Sequence, residues 1–140
     1  MSIVIVDSDA IIALVHQTDS LHDRSVQIFK FLKERNFYTF TPYAILLEAA
    51  ATLARVLQQP ELAQEVLSSY SNPEDKIDTD VSDLVAKLYE PKTSRKNTPF
   101  DHYVLALAKK NNIQLVFSFD SFYKKNGLTL MGDKLKTISD

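Results

Sequence analysis

The sequence predicts an α/β domain: a mainly parallel sheet of roughly five strands with helices on both faces. Ile3 to Val6 is a continuous apolar, β-branched run, as suits a strand buried on both faces, and Leu115 to Phe119, broken only by Ser118, reads as a second such strand. Segments of helical periodicity separate these runs from weaker strand candidates. Strand and helix alternate throughout, the pattern of βα units.

The elements follow in order. Ile3 to Val6 forms the first strand and ends at Asp7, Ser8 and Asp9, good helix-capping residues. A short apolar helix spans Ala10 to Val15. Ser20 is placed to cap a second helix, with Val26, Phe29, Leu32 and Phe37 as its apolar stripe. Residues 37–40 read as a strand. Thr41 and Pro42 start a helix reaching about Gln58, and Pro60 opens another to about Tyr70. Lys76 to Thr79 reads as a weak strand. Asp80 is placed to cap a helix carrying Val81, Leu84, Val85 and Leu88. Residues 91–99 are a loop, and Pro99 starts a helix to about Asn111. Leu115 to Phe119 and Leu128 to Leu130 complete the strands.

The 140 residues fit one domain, taken as 1–140. No apolar run approaches the ~18 residues that span a bilayer, and no basic leader precedes the first strand. A cytoplasmic protein is expected. Glycine occurs only at 127 and 132, so neither Gly-rich phosphate-binding motif is present. The absence of cysteine excludes disulfides, Cys-ligated metals and a thiol nucleophile. Any chemistry must come from carboxylates, hydroxyls and a few bases.

Charge is uneven although the net is −2. Residues 61–90 hold 2 basic and 8 acidic side chains, whereas residues 91–140 hold 9 and 4. The basic final third suits a polyanion.

Four carboxylates stand out. Asp7 and Asp120 each end a strand, so both lie on the sheet edge where ligands bind in parallel α/β folds. Each also suits a helix cap. Glu48 is the only acid or base among residues 44–54, on a helix apolar nearly all round, where an unpaired carboxylate is costly. A buried ion pair with Arg55 is the alternative. Asp101, in the first turn of its helix, is also favoured there by the dipole. Four crowded carboxylates repel unless a cation joins them. Oxygen-only ligands select hard ions such as Mg²⁺ or its stand-in Mn²⁺, which engage phosphates.

These residues together resemble the PIN-domain ribonucleases and, by size, the VapC-type toxins. Asp7-Ser8 after a β-run, Thr41-Pro42 followed by Leu47-Glu48, the Ala-rich helix led by Asp101, and the closing strand with Ser118 two residues before Asp120 match the family's four motifs in order. The resemblance implies a three-layer α/β/α fold and metal-dependent endonucleolytic cleavage of RNA. It implies Mg²⁺ or Mn²⁺ held by Asp7, Glu48, Asp101 and Asp120, with Ser8 and Ser118 orienting ligands. It also implies a small antitoxin partner and a homodimer. Asp9 departs from the family pattern and reads as an extra cap. Arg95, Lys96 and Lys124, with Lys109, Lys110 and Lys125, flank the last two motifs and are candidates for RNA phosphate contact. His102 reads as a packing residue.

Two other readings stand beside this one. Asp7 and Asp9 fit the opening of haloacid-dehalogenase-like phosphatases, with Gly132-Asp133 as a late motif. A PIN-like module that binds RNA or protein without catalysis is the other.

Overall fold

The computed structural model of the protein describes residues 2–71, 76–92 and 95–139. Four strands pair in parallel in the order β2-β1-β3-β4: β1 Ile3–Val6, β2 Tyr38–Phe40, β3 Leu115–Phe117 and β4 Thr129–Leu130. Val4 pairs with both Thr39 and Leu115, which fixes the register across the centre. β1 and β3 are buried almost throughout, as their unbroken apolar runs require.

Eight helices are present among the described residues: α1 Ser8–Val15, α2 His22–Glu34, α3 Tyr43–Arg55, α4 Pro60–Ser68, α5 Ser82–Leu88, α6 Pro99–Lys110, α7 Ser121–Lys125 and α8 Met131–Ser139. From β1 the chain crosses to β2 on one side; from β3 it crosses to β4 on the other. Right-handed crossovers in opposite directions put α1–α2 and α7 on opposite faces. The strand order therefore reverses between β1 and β3, and their carboxyl ends flank the resulting crevice. None of these helices is long and apolar enough to cross a membrane.

The scarcity of glycine is solved locally. Asn36, Gln58 and Asn112 take left-handed φ values of 57°, 55° and 54° just past the ends of α2, α3 and α6. Beyond Asn36 and Asn112, closing bonds from Phe37 to Leu32 and from Ile113 to Ala108 satisfy the last carbonyls.

Several expectations are corrected. The sheet has four strands among the described residues, because Lys76 to Thr79 does not pair with it. Instead the Asn111 side chain accepts the Asp78 N–H at 2.8 Å and donates to the Asp78 carbonyl at 2.9 Å. One amide thus satisfies both backbone groups that a ladder would have used. Ser20 and Asp80 are not caps: α2 and α5 start after Leu21 and Val81, neither making a side-chain cap bond. The α2 stripe is rotated, with Ser25, Ile28 and Leu32 buried and Val26 40% exposed. The Ser25 hydroxyl goes inward to the Ala10 carbonyl at 2.9 Å, which is why a serine holds a core position. β3 stops at Phe117, since the next residues turn toward the crevice.

Candidate metal centre

The crevice between the ends of β1 and β3 collects the acidic residues. Asp7 follows β1 directly and is 3% exposed. It is the N-cap of α1, its Oδ1 accepting the Ser8 N–H at 2.8 Å. Its Oδ2 accepts the Tyr123 hydroxyl at 2.7 Å. Asp120 caps α7, with Oδ1 accepting the Phe122 N–H at 2.9 Å. Asp101 closes a capping box with Thr98, accepting its N–H at 3.0 Å. The capping alternatives are therefore real for three of the four acids, and the caps deliver all three carboxylates to one place.

Glu48 is the exception. It projects from the middle of α3, where no cap exists to explain it. The Ser8 hydroxyl acts on its carboxylate and favours the charged form. Its Oε1 is buried and has no hydrogen-bond partner among the described residues. Its sequence-level alternative, an ion pair with Arg55, does not form there: Arg55 is exposed at the far end of the helix.

The carboxylates act on one another. Burial pushes the Asp7 acid up to about 8, with the Asp9 charge next in weight and the Tyr123 and Ser8 hydrogen bonds opposing. Burial also raises Glu48, against the Ser8 hydroxyl, with the charges of Asp101 and Asp9 adding to it. Asp101 is raised by burial and by Asp120, against the Thr98 N–H. Each charged group acting on these three is another carboxylate. A cluster of this kind lacks positive charge.

Asp9 belongs to the cluster by position but is committed to the fold. Its Oδ1 accepts the Ala10 N–H at 2.8 Å, and its Oδ2 accepts the Phe119 N–H at 2.8 Å and the Ser118 hydroxyl at 3.0 Å. Ser118 is a hub, for its oxygen also accepts the Asp120 N–H at 3.1 Å. Asn97 and Tyr123 escaped the sequence reading. Asn97 sits in a polar loop, where an asparagine is unremarkable. Tyr123 sits three residues past Asp120, a spacing that would have placed it on the same turn of helix.

Among the described residues no three carboxylate or imidazole groups converge as a finished metal cage would. The donor set nonetheless fits a hard divalent ion. It is all oxygen, it is crowded with negative charge, and Glu48 Oε1 is an unused buried acceptor.

The basic candidates divide. Arg95 and Lys96 are exposed in the loop leading to Asn97. Lys124 lies on α7 and pairs with Asp133 at 3.4 Å. Lys110 pairs with Asp78 at 3.3 Å, and both it and Lys109 end α6, about 13 Å along the axis from Asp101. His102 is buried, its ring Nδ1 2.9 Å from the Thr98 carbonyl and its ring between Tyr89 and Phe122, as packing predicts.

A family model described as PIN domain matches residues 4–127. Among solved structures the chain is similar to Mycobacterium tuberculosis VapC20, described as a sarcin–ricin loop cleaving toxin. The two are 17% identical, with a TM-score of 0.73 over 91% of this chain and 97% of that one. At this identity the likeness establishes a shared fold. No curated protein matches the chain significantly in sequence.

Proposed function

This chain belongs to the PIN-domain family, and we propose that it is a divalent-metal-dependent endoribonuclease, the toxin of a toxin–antitoxin pair. Asp7, Glu48, Asp101 and Asp120 are the proposed ligands for Mg²⁺ or Mn²⁺. The observation that carries this reading is Glu48: a buried carboxylate oxygen with no partner, facing other carboxylates across the crevice. Leaving it so is costly in a folded protein unless something binds it. When bound, the ion supplies Lewis-acid stabilisation of a phosphodiester and a more acidic water.

The chain's own residues supply the rest. Ser8 orients Glu48, and Ser118 holds the turn that carries Asp120. Arg95, Lys96 and Lys124 contact RNA phosphates at the mouth, with Lys124 exchanging its exposed pair with Asp133 for a phosphate. An apolar groove of about 380 Å³, lined by Ile11, Leu14, Phe29, Leu46 and Val66 with Glu65 at its rim, offers a small antitoxin protein a seat. Tyr43 and Leu47, exposed one turn apart on α3, suit a homodimer contact. The protein acts on cytoplasmic RNA.

The phosphatase alternative loses its acid/base, since Asp9 is occupied by three donors. In its late motif, Asp133 pairs with Lys124. The test is cleavage of structured RNAs by the purified protein with Mn²⁺ or Mg²⁺. EDTA and Asp7→Asn should each abolish cleavage. Cleavage that survives either would overturn the reading.

A further inference from the structure

Two uncharged side chains link the carboxylates in series. Tyr123 is fully buried, its ring 5.3 Å from that of Phe122. A phenylalanine would fill the same space without a hydroxyl to satisfy, so the hydroxyl needs its own reason. It lies 2.7 Å from Asp7 Oδ2 and 3.4 Å from Asp101 Oδ1. With one proton it donates to Asp7 and keeps a polar oxygen, rather than a void, between the two acids. Because the ring is locked in a close-packed core, the hydroxyl is a fixed point. Asn97 makes the next link. Its side-chain amide has two N–H donors, and Nδ2 lies 3.2 Å from Asp120 Oδ2 and 3.5 Å from Asp101 Oδ2. The series runs Asp7, Tyr123, Asp101, Asn97, Asp120.

We propose that Tyr123 and Asn97 are positioning residues that fix the spacing of Asp7, Asp101 and Asp120 and so set how tightly the crevice binds a divalent cation. Three like charges at a few ångströms drift apart or take up protons unless donors hold them. Tyr123 supplies one donor, to Asp7, and Asn97 supplies two, to Asp101 and Asp120, without adding a positive charge that would compete with a metal. Groups that hydrogen-bond metal-ligating carboxylates typically contribute 10–100-fold to metal affinity. Neither residue is offered as a ligand or as a group touching RNA. The proposal rests on the metal-nuclease reading.

The test is Mn²⁺ binding, followed by the loss of the free-ion electron paramagnetic resonance signal, for the full chain and for Tyr123→Phe and Asn97→Ala. Thermal unfolding in EDTA is measured beside it. Tyr123→Phe keeps the ring, and Asn97→Ala lies in a loop outside the core, so the second variant keeps the test alive if the first folds poorly. The expected result is Mn²⁺ binding weakened by about 10-fold in each variant, with the Asn97→Ala melting temperature near that of the parent. Affinity within about twofold of the parent in both variants, with the parent binding Mn²⁺, would overturn the positioning role alone. A parent that binds no Mn²⁺ would overturn the metal reading and this proposal together.

Discussion

The backbone N–H of Phe119 donates to Asp9 Oδ2 at 2.8 Å, tying the start of α1 to the end of β3 across 110 residues of sequence. The Ser118 hydroxyl reinforces the tie. Asp9 thus aligns the two strand ends that carry Asp7 and Asp120. Asp9→Asn brings an amide N–H₂ against these donors and should cost about 1–3 kcal/mol, the typical penalty for a buried polar group losing its partner. Chemical denaturation measures this loss, while RNA cleavage by the folded variant should persist, because Asp9 is not among the proposed metal ligands. Complete loss of activity in a folded Asp9→Asn protein would favour a catalytic Asp9.

Glu48 should behave in the opposite way. Glu48→Gln removes a buried charge that has no partner at Oε1. The metal-free protein should melt roughly 2–4 °C higher, the shift expected for about 1 kcal/mol in a domain of this size. Cleavage should fall by at least about 100-fold as a metal ligand is lost. Calorimetry in EDTA and a single-turnover cleavage assay read the two effects separately. A lower melting temperature with full activity would make Glu48 a structural residue.

The raised acids give a pH signature. Burial lifts Asp7 from its ordinary 3.8 to about 8, and Asp9, Glu48 and Asp101 are also lifted. A carboxyl raised in the folded state binds protons more tightly there than in the unfolded chain. Its stabilising contribution is complete below the unfolded value and is lost as pH climbs through the folded one. The metal-free protein should therefore melt at progressively lower temperature from pH 5 to pH 8. Saturating Mg²⁺ should reverse the trend, because the ion binds the deprotonated groups. Melting curves in EDTA and in Mg²⁺ across this range check both signs.

Asn111 clips the segment around Asp78 through two backbone hydrogen bonds. Asn111→Ala should cost about 1–3 kcal/mol. It should also speed amide exchange at Asp78, whose N–H has the Asn111 side chain as its partner. Unchanged exchange there would mean the clip does not hold the segment.

The central strands were legible because Ile3 to Val6 and Leu115 to Phe117 are apolar without interruption, and burial on both faces demands that pattern. Glu48 was legible for a related reason, as one charge on an apolar helix. Lys76 to Thr79 misled because Ile77 is buried like a strand residue, yet a distant side chain took over its neighbour's backbone bonds. The Val26 stripe misled because Ser25 turns inward to the Ala10 carbonyl, a partner no local pattern shows. Asn97 and Tyr123 stayed hidden for the same reason: each acquires meaning only through carboxylates brought to it by the fold. Asp9 looked like a cap and does accept the Ala10 N–H, but its larger use spans the crevice.

The proposed role of these carboxylates is to hold a divalent cation. An anomalous-difference map from crystals grown with Mn²⁺ tests it most directly. A peak is expected in the crevice with oxygens of Asp7, Glu48, Asp101 or Asp120 at about 2.1 Å, the contact distance of a small hard divalent ion. A well-occupied crystal with no peak between these side chains would contradict it.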